Sequence, residues 1–371
     1  MSRDALRLPV RAELAAERPY GAPQLDVPVL LNVNENPYPP TTEVVDAMAA
    51  AVREVAVGLN RYPDRDATAL RRDLADYLGH GLSADQVWAA NGSNEVMVQV
   101  LQAFGGPGRT VLTFGPTYSM YPQYARDTAT RLVTLPREED FTVASEAATA
   151  AVAAERPHVV VLASPNNPTG AALPLETIAR ICDVTRNAQA VVVVDEAYAE
   201  FRRAGTPSAL SLLADYPHLA VTRTMSKAFA LAGGRLGYLA SSREFVDALQ
   251  VVRLPYHLSS VTQAVARVAL AHRDTMLARV QELRTERDVT TGWLREQGLT
   301  VADSDANFVL FGRFADRHRV WQELVWRGVL IRETGPDGWL RVSIGSADEM
   351  MAFKRALGEV LPQAQRLQEA T

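Results

Sequence analysis

Helical patterns and short apolar runs alternate over the first two-thirds of the chain. Apolar residues recur at three- and four-residue spacing in TEVVDAMAAAVREV, DATALRRDLADYL and SNEVMVQVLQAF, which predicts amphipathic helices. The apolar runs typical of strands are VWAA, TVLTF, RLVTL, HVVVLA, AVVVVD, LAVTR and LGYLA. Several of them are apolar throughout, as buried parallel strands are. The alternation therefore predicts an α/β fold with a mostly parallel, doubly wound sheet flanked by helices.

The regular alternation of helical patterns and apolar runs is lost towards both ends, which predicts three parts in this 371-residue chain. Prolines are frequent in residues 1–40, so we expect a surface arm there, associated with the small domain. Residues 41–258 form the predicted large α/β domain. The stretch from Ser259 to Gln297 has no proline and is predicted to be one long connecting helix. It opens the third part, residues 259–371, in which short strands and helices mix as in a small α+β domain.

Composition narrows the class of protein. The chain is 47% hydrophobic and 22% charged with a net charge of -5, which is ordinary for a globular protein and gives no indication of nucleic-acid binding. No apolar run approaches the length that spans a membrane, and the N-terminal stretch lacks the apolar core of a secretory signal. Cys182 is the only cysteine, which excludes an intrachain disulfide. We therefore expect a cytoplasmic protein without a membrane partner.

Polar residues follow two of the apolar runs, at the strand ends where open α/β sheets bind ligands. SPNNPTG follows HVVVLA and offers the amide of Asn167 to an oxygen anion, although a simple turn is the alternative. Asp195 follows AVVVV, where a buried acid needs a cation or strong donors, and it suits a protonated heteroaromatic nitrogen. Tyr198 could reach the same ligand. A helix N-cap is the alternative for Asp195.

Lys227 follows the run LAVTR and precedes the apolar stretch AFALAGG. Apolar surroundings lower the pKa of an amine and free its lone pair, and such an amine forms imines with carbonyl compounds. Thr224, Ser226 and Arg235 lie close by in sequence and offer hydroxyls and a guanidinium to a phosphate. Taken alone, the lysine has a simpler alternative as a solvated loop residue.

Other candidates for anion binding are spread along the chain. Ser93 and Asn94 open a predicted helix, where free backbone N–H groups bind anions or the side chains cap the helix. Tyr118 could stack on a bound ligand, or it could be a residue of the hydrophobic core. Arg332 and Arg341 lie in apolar strands and each needs an anion, either a protein carboxylate or a bound carboxylate or phosphate. The six histidines show no metal-ligand spacing, so we expect no metal.

In chain order, SNE, PTY, SPNNPTG, DEAY, SKAF and LRVSIG resemble the motifs of the aspartate-aminotransferase-like (fold type I) enzymes, which use pyridoxal 5'-phosphate. A finer resemblance is to the histidinol-phosphate aminotransferases. It is carried by LNVNENPYPP, NRYPDRD, NGSNE, FGPTYSMYP, TRTMSKAFALAGGRLGY, RLPYHLSS and DANFVLF, and it extends from Pro19 to Ala356. The resemblance implies that fold, with a small α+β domain and an N-terminal arm beside the large domain.

The resemblance also implies a role for each candidate. Lys227 would hold the cofactor and transfer the proton, and Asp195 would pair with the ring nitrogen. Asn167 and Tyr198 would both form hydrogen bonds with the phenolic oxygen. The other cofactor-binding residues would be Ser93, Asn94, Tyr118, Asn167, Thr224, Ser226 and Arg235, with Tyr62 from the partner subunit. The substrate-binding residues would be Tyr20, Asn34, Asn167, Arg332 and Arg341.

The implied reaction is transamination between L-histidinol phosphate and 2-oxoglutarate, giving imidazole-acetol phosphate and L-glutamate by a ping-pong mechanism. The implied assembly is a homodimer with shared active sites. An aromatic amino-acid aminotransferase has the same cofactor residues and stays open as an alternative. A non-catalytic pyridoxal-phosphate-binding regulator is a remote one, because such regulators carry a basic DNA-binding domain and this chain starts with a proline-rich arm.

Overall fold

The computed structural model describes residues 8–368. After a short turn of 3-10 helix at Ala12–Leu14, an extended segment leads to Val29–Leu30 (β1), which pairs in parallel with Val329–Leu330 near the other end of the chain. Two helices follow, Thr42–Ala56 (α1) and Thr68–Leu78 (α2). The arm therefore joins the C-terminal part of the molecule through backbone hydrogen bonds.

A seven-stranded sheet forms the centre of what we call the large lobe. Its strands are Val87–Ala90 (β2), Thr110–Gly115 (β3), Arg131–Pro136 (β4), Val159–Ala163 (β5), Val191–Asp195 (β6), Leu219–Thr224 (β7) and Gly237–Ala240 (β8). They are ordered β2-β8-β7-β6-β5-β3-β4, and all pairs are parallel except the two that β8 makes. The predicted mostly parallel sheet is confirmed.

Helices cover both faces of this sheet. Besides α1 and α2, they are Ser93–Phe104 (α3), Tyr121–Asp127 (α4), Ser145–Glu155 (α5), Leu175–Arg186 (α6) and Arg243–Val252 (α7). Alternate residues of a strand point to opposite faces. Val192 and Val194 accordingly pack in one core cluster with α1, α2, α5 and α6, whereas Val193 packs in another with α3, α4 and α7. Strands buried on both faces read as continuous apolar runs for this reason.

The prediction of one helix from Ser259 to Gln297 is wrong. The structure has three helices there, Ser260–Ala271 (α8), Arg273–Leu277 (α9) and Val280–Glu296 (α10). The first helix packs on α1 and α2, whereas the last packs on two strands of the C-terminal part, Thr300–Val301 and Phe308–Gly312. No proline or glycine lies at the breaks between the helices. The breaks are therefore set by packing against two different parts of the molecule.

The strands of the small lobe are Thr300–Val301 (β9), Phe308–Gly312 (β10), Val329–Leu330 (β11), Arg332–Glu333 (β12) and Trp339–Ser343 (β13), and its helices are Arg317–Trp326 (α11) and Ala347–Gln368 (α12). Four of these strands form an antiparallel sheet ordered β12-β13-β10-β9. The core of the small lobe also takes in Leu31 of the arm and Tyr198, Phe201 and Ala228 of the large lobe. Within residues 8–368, no helix has both the length and the apolar character to cross a membrane.

Candidate active site

The carboxyl ends of β5, β6 and β7 open into a cavity of about 250 Å³ that the arm and the small lobe close from the other side. All but one of the side chains predicted from the sequence line it: Tyr20, Asn34, Ser93, Asn94, Tyr118, Asn167, Asp195, Tyr198, Thr224, Ser226, Lys227, Arg235, Arg332 and Arg341. The exception is Tyr62, which is 79% exposed and stacks on Tyr256 with ring centroids 4.4 Å apart.

The sheet topology explains why residues far apart in sequence meet here. β5, β6 and β7 are neighbouring parallel strands, so their carboxyl ends lie at one edge of the sheet. Asn167 follows β5, Asp195 ends β6 and Lys227 follows β7. The three strongest candidates from the sequence are therefore brought together by strand direction alone.

Asp195 is a buried acid held by three donors. The hydroxyl of Tyr121 donates to Oδ2 at 2.8 Å, and the Thr222 hydroxyl and the Ala197 N–H donate to Oδ1 at 3.3 and 3.2 Å. Burial raises the pKa of Asp195, and these hydrogen bonds oppose the rise. No cation pairs with it in the part of the chain that the structure describes. Asp195 is therefore available to form an ion pair with a cationic group of a ligand.

Two of these donors were missed from the sequence. Tyr121 ends the run PTYSMY, in which only Tyr118 was singled out, and its hydroxyl is buried against Asp195. Thr222 is the residue of β7 directly opposite Asp195 in the strand pairing. A hydroxyl residue within the run LAVTR was the available signal for Thr222, but its partner depends on strand register.

Lys227 is half-buried, and its Nζ donates to the carbonyl oxygen of Val33 at 3.0 Å. Burial, with further contributions from the nearby Arg341 and Arg235 guanidiniums, lowers the pKa of Lys227 to about 8. Among residues 8–368 no carboxylate forms an ion pair with this amine. Lys227 thus has the low proton affinity that an amine nucleophile or base needs near neutral pH.

A group of donors surrounds the N-terminus of α3. A Cβ at Gly92, whose φ is +85°, would lie 2.5 Å from an Arg235 guanidinium nitrogen, and a Cβ at Gly237 would lie 2.0 Å from the Ser93 nitrogen. Glycine at both positions thus lets β8 and the guanidinium approach the first turn of the helix. Free N–H groups and the helix dipole favour an anion in this place.

Hydroxyl groups line the same end of the cavity. Thr224 donates to the Ser226 hydroxyl at 3.0 Å, and the Arg235 guanidinium lies 3.5 Å from the same oxygen. Arg235 forms no ion pair with any carboxylate that the structure describes. Hydroxyls, backbone N–H groups and an unneutralised guanidinium together match a phosphate group.

Two arginines form the opposite end of the cavity. Arg332 and Arg341 are directly opposite each other in the pairing of β12 with β13, which places both side chains on one face. Neither pairs with a carboxylate in the described residues, and Arg332 Nη1 and Arg341 Nε are buried without hydrogen-bond partners. Like charges in this arrangement are unfavourable unless an anion lies between them.

Arg341 is the more deeply held of the pair. It donates to the Asn167 side-chain oxygen and, at 2.9 Å, to the Asn32 carbonyl, and its guanidinium lies over the Phe308 ring. Burial lowers its pKa to about 10. At the mouth of the cavity, the Ser119 hydroxyl donates to that of Tyr20 at 3.2 Å. The cavity is therefore lined by Arg235 of the large lobe and by Arg332 and Arg341 of the small lobe, and Lys227 lines it as well.

The family model of aminotransferase class I and II matches residues 27–357, so the chain belongs to the class I and II aminotransferases and is an aminotransferase. It is 63% identical over 350 residues to the histidinol-phosphate aminotransferase of Thermobifida fusca, with 94% of this chain and 95% of the relative covered. The resemblance to the histidinol-phosphate aminotransferases is thereby confirmed.

Solved structures agree with this assignment. The histidinol-phosphate aminotransferase from Sinorhizobium meliloti in complex with pyridoxal-5'-phosphate has a TM-score of 0.80 and 27% identity, covering 91% of this chain and 92% of that one. An aspartate aminotransferase double mutant from Thermus thermophilus has a TM-score of 0.78 and 25% identity, covering 91% of each chain. The predicted aspartate-aminotransferase-like fold is therefore confirmed.

Proposed function

We propose that the chain is a pyridoxal-phosphate-dependent enzyme that transfers the amino group of L-histidinol phosphate to 2-oxoglutarate by a ping-pong mechanism. The products are imidazole-acetol phosphate and L-glutamate. The observation that carries the proposal is the cavity itself, which combines a desolvated lysine and an unpaired buried acid with arginines that have no carboxylate partner. The name of the Thermobifida relative supports this choice of substrate.

The residues fit pyridoxal phosphate at three points. Asp195 suits the ring nitrogen, Lys227 suits the aldehyde, and the first turn of α3 with Ser226 and Arg235 suits the phosphate. The close approach of Arg235 to Gly92 supports the third point, since any larger residue would fill the cradle. When bound, pyridoxal phosphate supplies a carbonyl for the substrate amine and a ring that takes up the electron pair of the α-carbon.

The remaining roles are those that the family resemblance implies, and each of the residues concerned lines the cavity. Asn167 and Tyr198 would donate to the phenolic oxygen, Tyr118 would stack on the ring, and Ser93, Asn94 and Thr224 would complete the phosphate site. Lys227 would accept the proton from the substrate α-carbon and return it at C4'. Because its pKa is about 8, the amine can both take and release a proton near neutral pH.

The pKa of Lys227 predicts the pH dependence of cofactor attachment. Only the neutral amine attacks a carbonyl, so the attachment rate should rise with pH and level off near pH 8. An ordinary lysine would make it rise until about pH 10.4. Absorbance changes after mixing the cofactor-free protein with pyridoxal phosphate over a pH series measure this. A rate still climbing well above pH 9 would contradict the desolvated amine.

Arg332 and Arg341 explain how one site takes two different substrates in turn. A planar guanidinium binds a phosphate or a carboxylate through paired hydrogen bonds. The same end of the cavity can therefore hold the phosphate of the amino donor and the distal carboxylate of the 2-oxo acid, with Tyr20 at its mouth.

Replacing Arg341 by methionine should lower kcat/KM for both substrates about 100-fold, because hydrogen bonds to charged groups contribute about 1.5–3 kcal/mol each. The loss should appear mainly in KM. Arg295→Met is the matched control, since its ion pair with Asp303 is exposed and surface pairs contribute little. Equal kinetics in the two variants would remove Arg341 from the substrate site.

The choice of amino donor is tested by comparing kcat/KM for histidinol phosphate and phenylalanine, each with 2-oxoglutarate. The proposal requires the phosphate ester to be preferred, because the paired arginines would lack a dianion with phenylalanine. A preference for phenylalanine would instead identify an aromatic amino-acid aminotransferase.

We further propose a homodimer in which Tyr62 reaches the phosphate site of the partner subunit. The exposure of Tyr62 supports this, as do the exposed apolar residues near it in sequence, Val57 and Leu59. The division into an arm and two domains at residues 40 and 258 stays a proposal. The free, buried thiol of Cys182 is consistent with the proposed cytoplasmic location.

Mixed dimers test the shared site. Tyr62→Ala and Lys227→Ala should each be impaired alone, and activity should reappear when the two variants are mixed and allowed to exchange subunits. In a mixed dimer, one site combines an intact Lys227 with an intact Tyr62 of the other chain. Turnover is measured before and after exchange. Lack of recovery, with mixed dimers detected by mass spectrometry, would show that the sites are independent.

A further inference from the structure

Asn34 lies where the arm passes between the two lobes. It is 2% exposed and has the left-handed backbone conformation, with φ at 55°. Its neighbours contact the large lobe, because the Val33 carbonyl accepts from Lys227 and Asn36 donates to the Ala228 carbonyl at 3.1 Å. Asn34 itself contacts the small lobe through Ser343. Asparagine is one of the few non-glycine residues that adopt this conformation, and residues held in it cluster at functional sites.

The orientation of the Asn34 amide is set by Ser343 of β13. The backbone N–H of Asn34 donates to the Ser343 hydroxyl at 2.8 Å, and this hydroxyl donates in turn to Asn34 Oδ1 at 2.8 Å. The single hydrogen of the serine hydroxyl is thereby used on Oδ1. The amide nitrogen must then point the other way, and its Nδ2 donates to the Tyr198 hydroxyl oxygen at 3.1 Å.

This arrangement decides the direction of the Tyr198 hydroxyl hydrogen. A phenolic oxygen accepts through its lone pairs and donates one hydrogen. Because the oxygen accepts from Asn34, its hydrogen is directed elsewhere, and no acceptor for it occurs within residues 8–368. The Tyr198 ring is held edge-on against Phe308, with centroids 5.0 Å apart, so the hydroxyl stays at the cavity wall.

We propose that Asn34, oriented by Ser343, is a positioning residue that makes Tyr198 a hydrogen-bond donor into the cavity, towards the phenolic oxygen of the cofactor. The inference rests on the proposed function. In this proposal Asn34 acts by orienting Tyr198 and not by binding the substrate. A donated hydrogen bond stabilises a phenolate, so the relay lowers the pH at which the bound cofactor ionises.

The test is the pH titration of cofactor absorbance in the cofactor-loaded protein. Tyr198→Phe should raise the midpoint by roughly one pH unit, as expected for loss of a hydrogen bond to a charged oxygen. Asn34→Ala should raise it in the same direction, and the double variant should match Tyr198→Phe. Asn36→Ala is the matched control. It removes the same carboxamide group from the same segment, but the side chain of Asn36 bonds to the Ala228 carbonyl and not to Tyr198.

The outcomes separate the inference from the proposed function. If the wild-type protein takes up no pyridoxal phosphate, the proposed function fails and the inference with it. If Tyr198→Phe raises the midpoint but Asn34→Ala does not, or if Asn34→Ala acts equally with and without Tyr198, the inference alone is overturned. Should Asn34→Ala not fold, Ser343→Ala leaves the amide free to rotate, and an unchanged midpoint there overturns the inference.

Discussion

Replacing Lys227 by alanine should reduce kcat by about 10⁴-fold, the upper range for loss of a positioned acid–base group. Lys227 is half-buried, lines the cavity and forms no ion pair with a carboxylate of the described chain. Under the proposed function it both holds the cofactor and transfers the proton, so one substitution removes two contributions. Turnover with histidinol phosphate and 2-oxoglutarate measures the effect.

The sequence offers a matched control, because Lys354 is the other lysine of this chain. Its Nζ pairs with Glu286 at 2.7 Å in the small lobe. Lys354→Ala should keep wild-type turnover. Borohydride treatment of the loaded wild-type protein should add the mass of the reduced cofactor to the peptide that carries Lys227. Label on the Lys354 peptide, or undiminished turnover of Lys227→Ala, would remove Lys227 from its role.

Replacing Asp195 by asparagine should lower turnover by about 10²- to 10⁴-fold. Removing one partner of a buried ion pair costs about 3–5 kcal/mol, which converts to this range. Asparagine keeps the size of the side chain but cannot hold a proton on the ring nitrogen. Asp183→Asn is the control, since that acid is exposed on α6 and accepts a hydrogen bond from the Tyr216 hydroxyl, away from the cavity lining. Near-normal turnover of Asp195→Asn would contradict the assignment.

The same substitution should not weaken the cofactor-free fold. Burial raises the pKa of Asp195, so the folded chain binds more protons at this group than the unfolded chain does. The free energy of unfolding therefore falls as pH rises from the unfolded pKa through the raised folded pKa. Asparagine does not ionise, so this decrease in the free energy of unfolding is absent from the variant. Thermal unfolding of the variant without cofactor should therefore occur at the same temperature or higher. A large loss of stability would mean that Asp195 is structural.

Much of the site could be predicted from the sequence because of one property of parallel sheets. Apolar runs such as HVVVLA and AVVVV predict strands buried on both faces, and the residue after each strand lies at a common edge. Asn167, Asp195 and Lys227 could therefore be placed together before any tertiary contact was known. The close approach that Gly92 permits is not visible in such a pattern, because it depends on Arg235, which is far away in the sequence.

The sequence by itself determined the α/β class, the strand ends that carry Asp195 and Lys227, and the family motifs. The tertiary structure alone decided that β8 runs antiparallel, that the helix predicted from Ser259 breaks twice, and that Tyr121 supports Asp195. It also decided that Asn34 turns its amide towards Tyr198. Periodicity reports which residues are buried, whereas strand direction, helix breaks and hydrogen-bond polarity depend on partners far away in the chain.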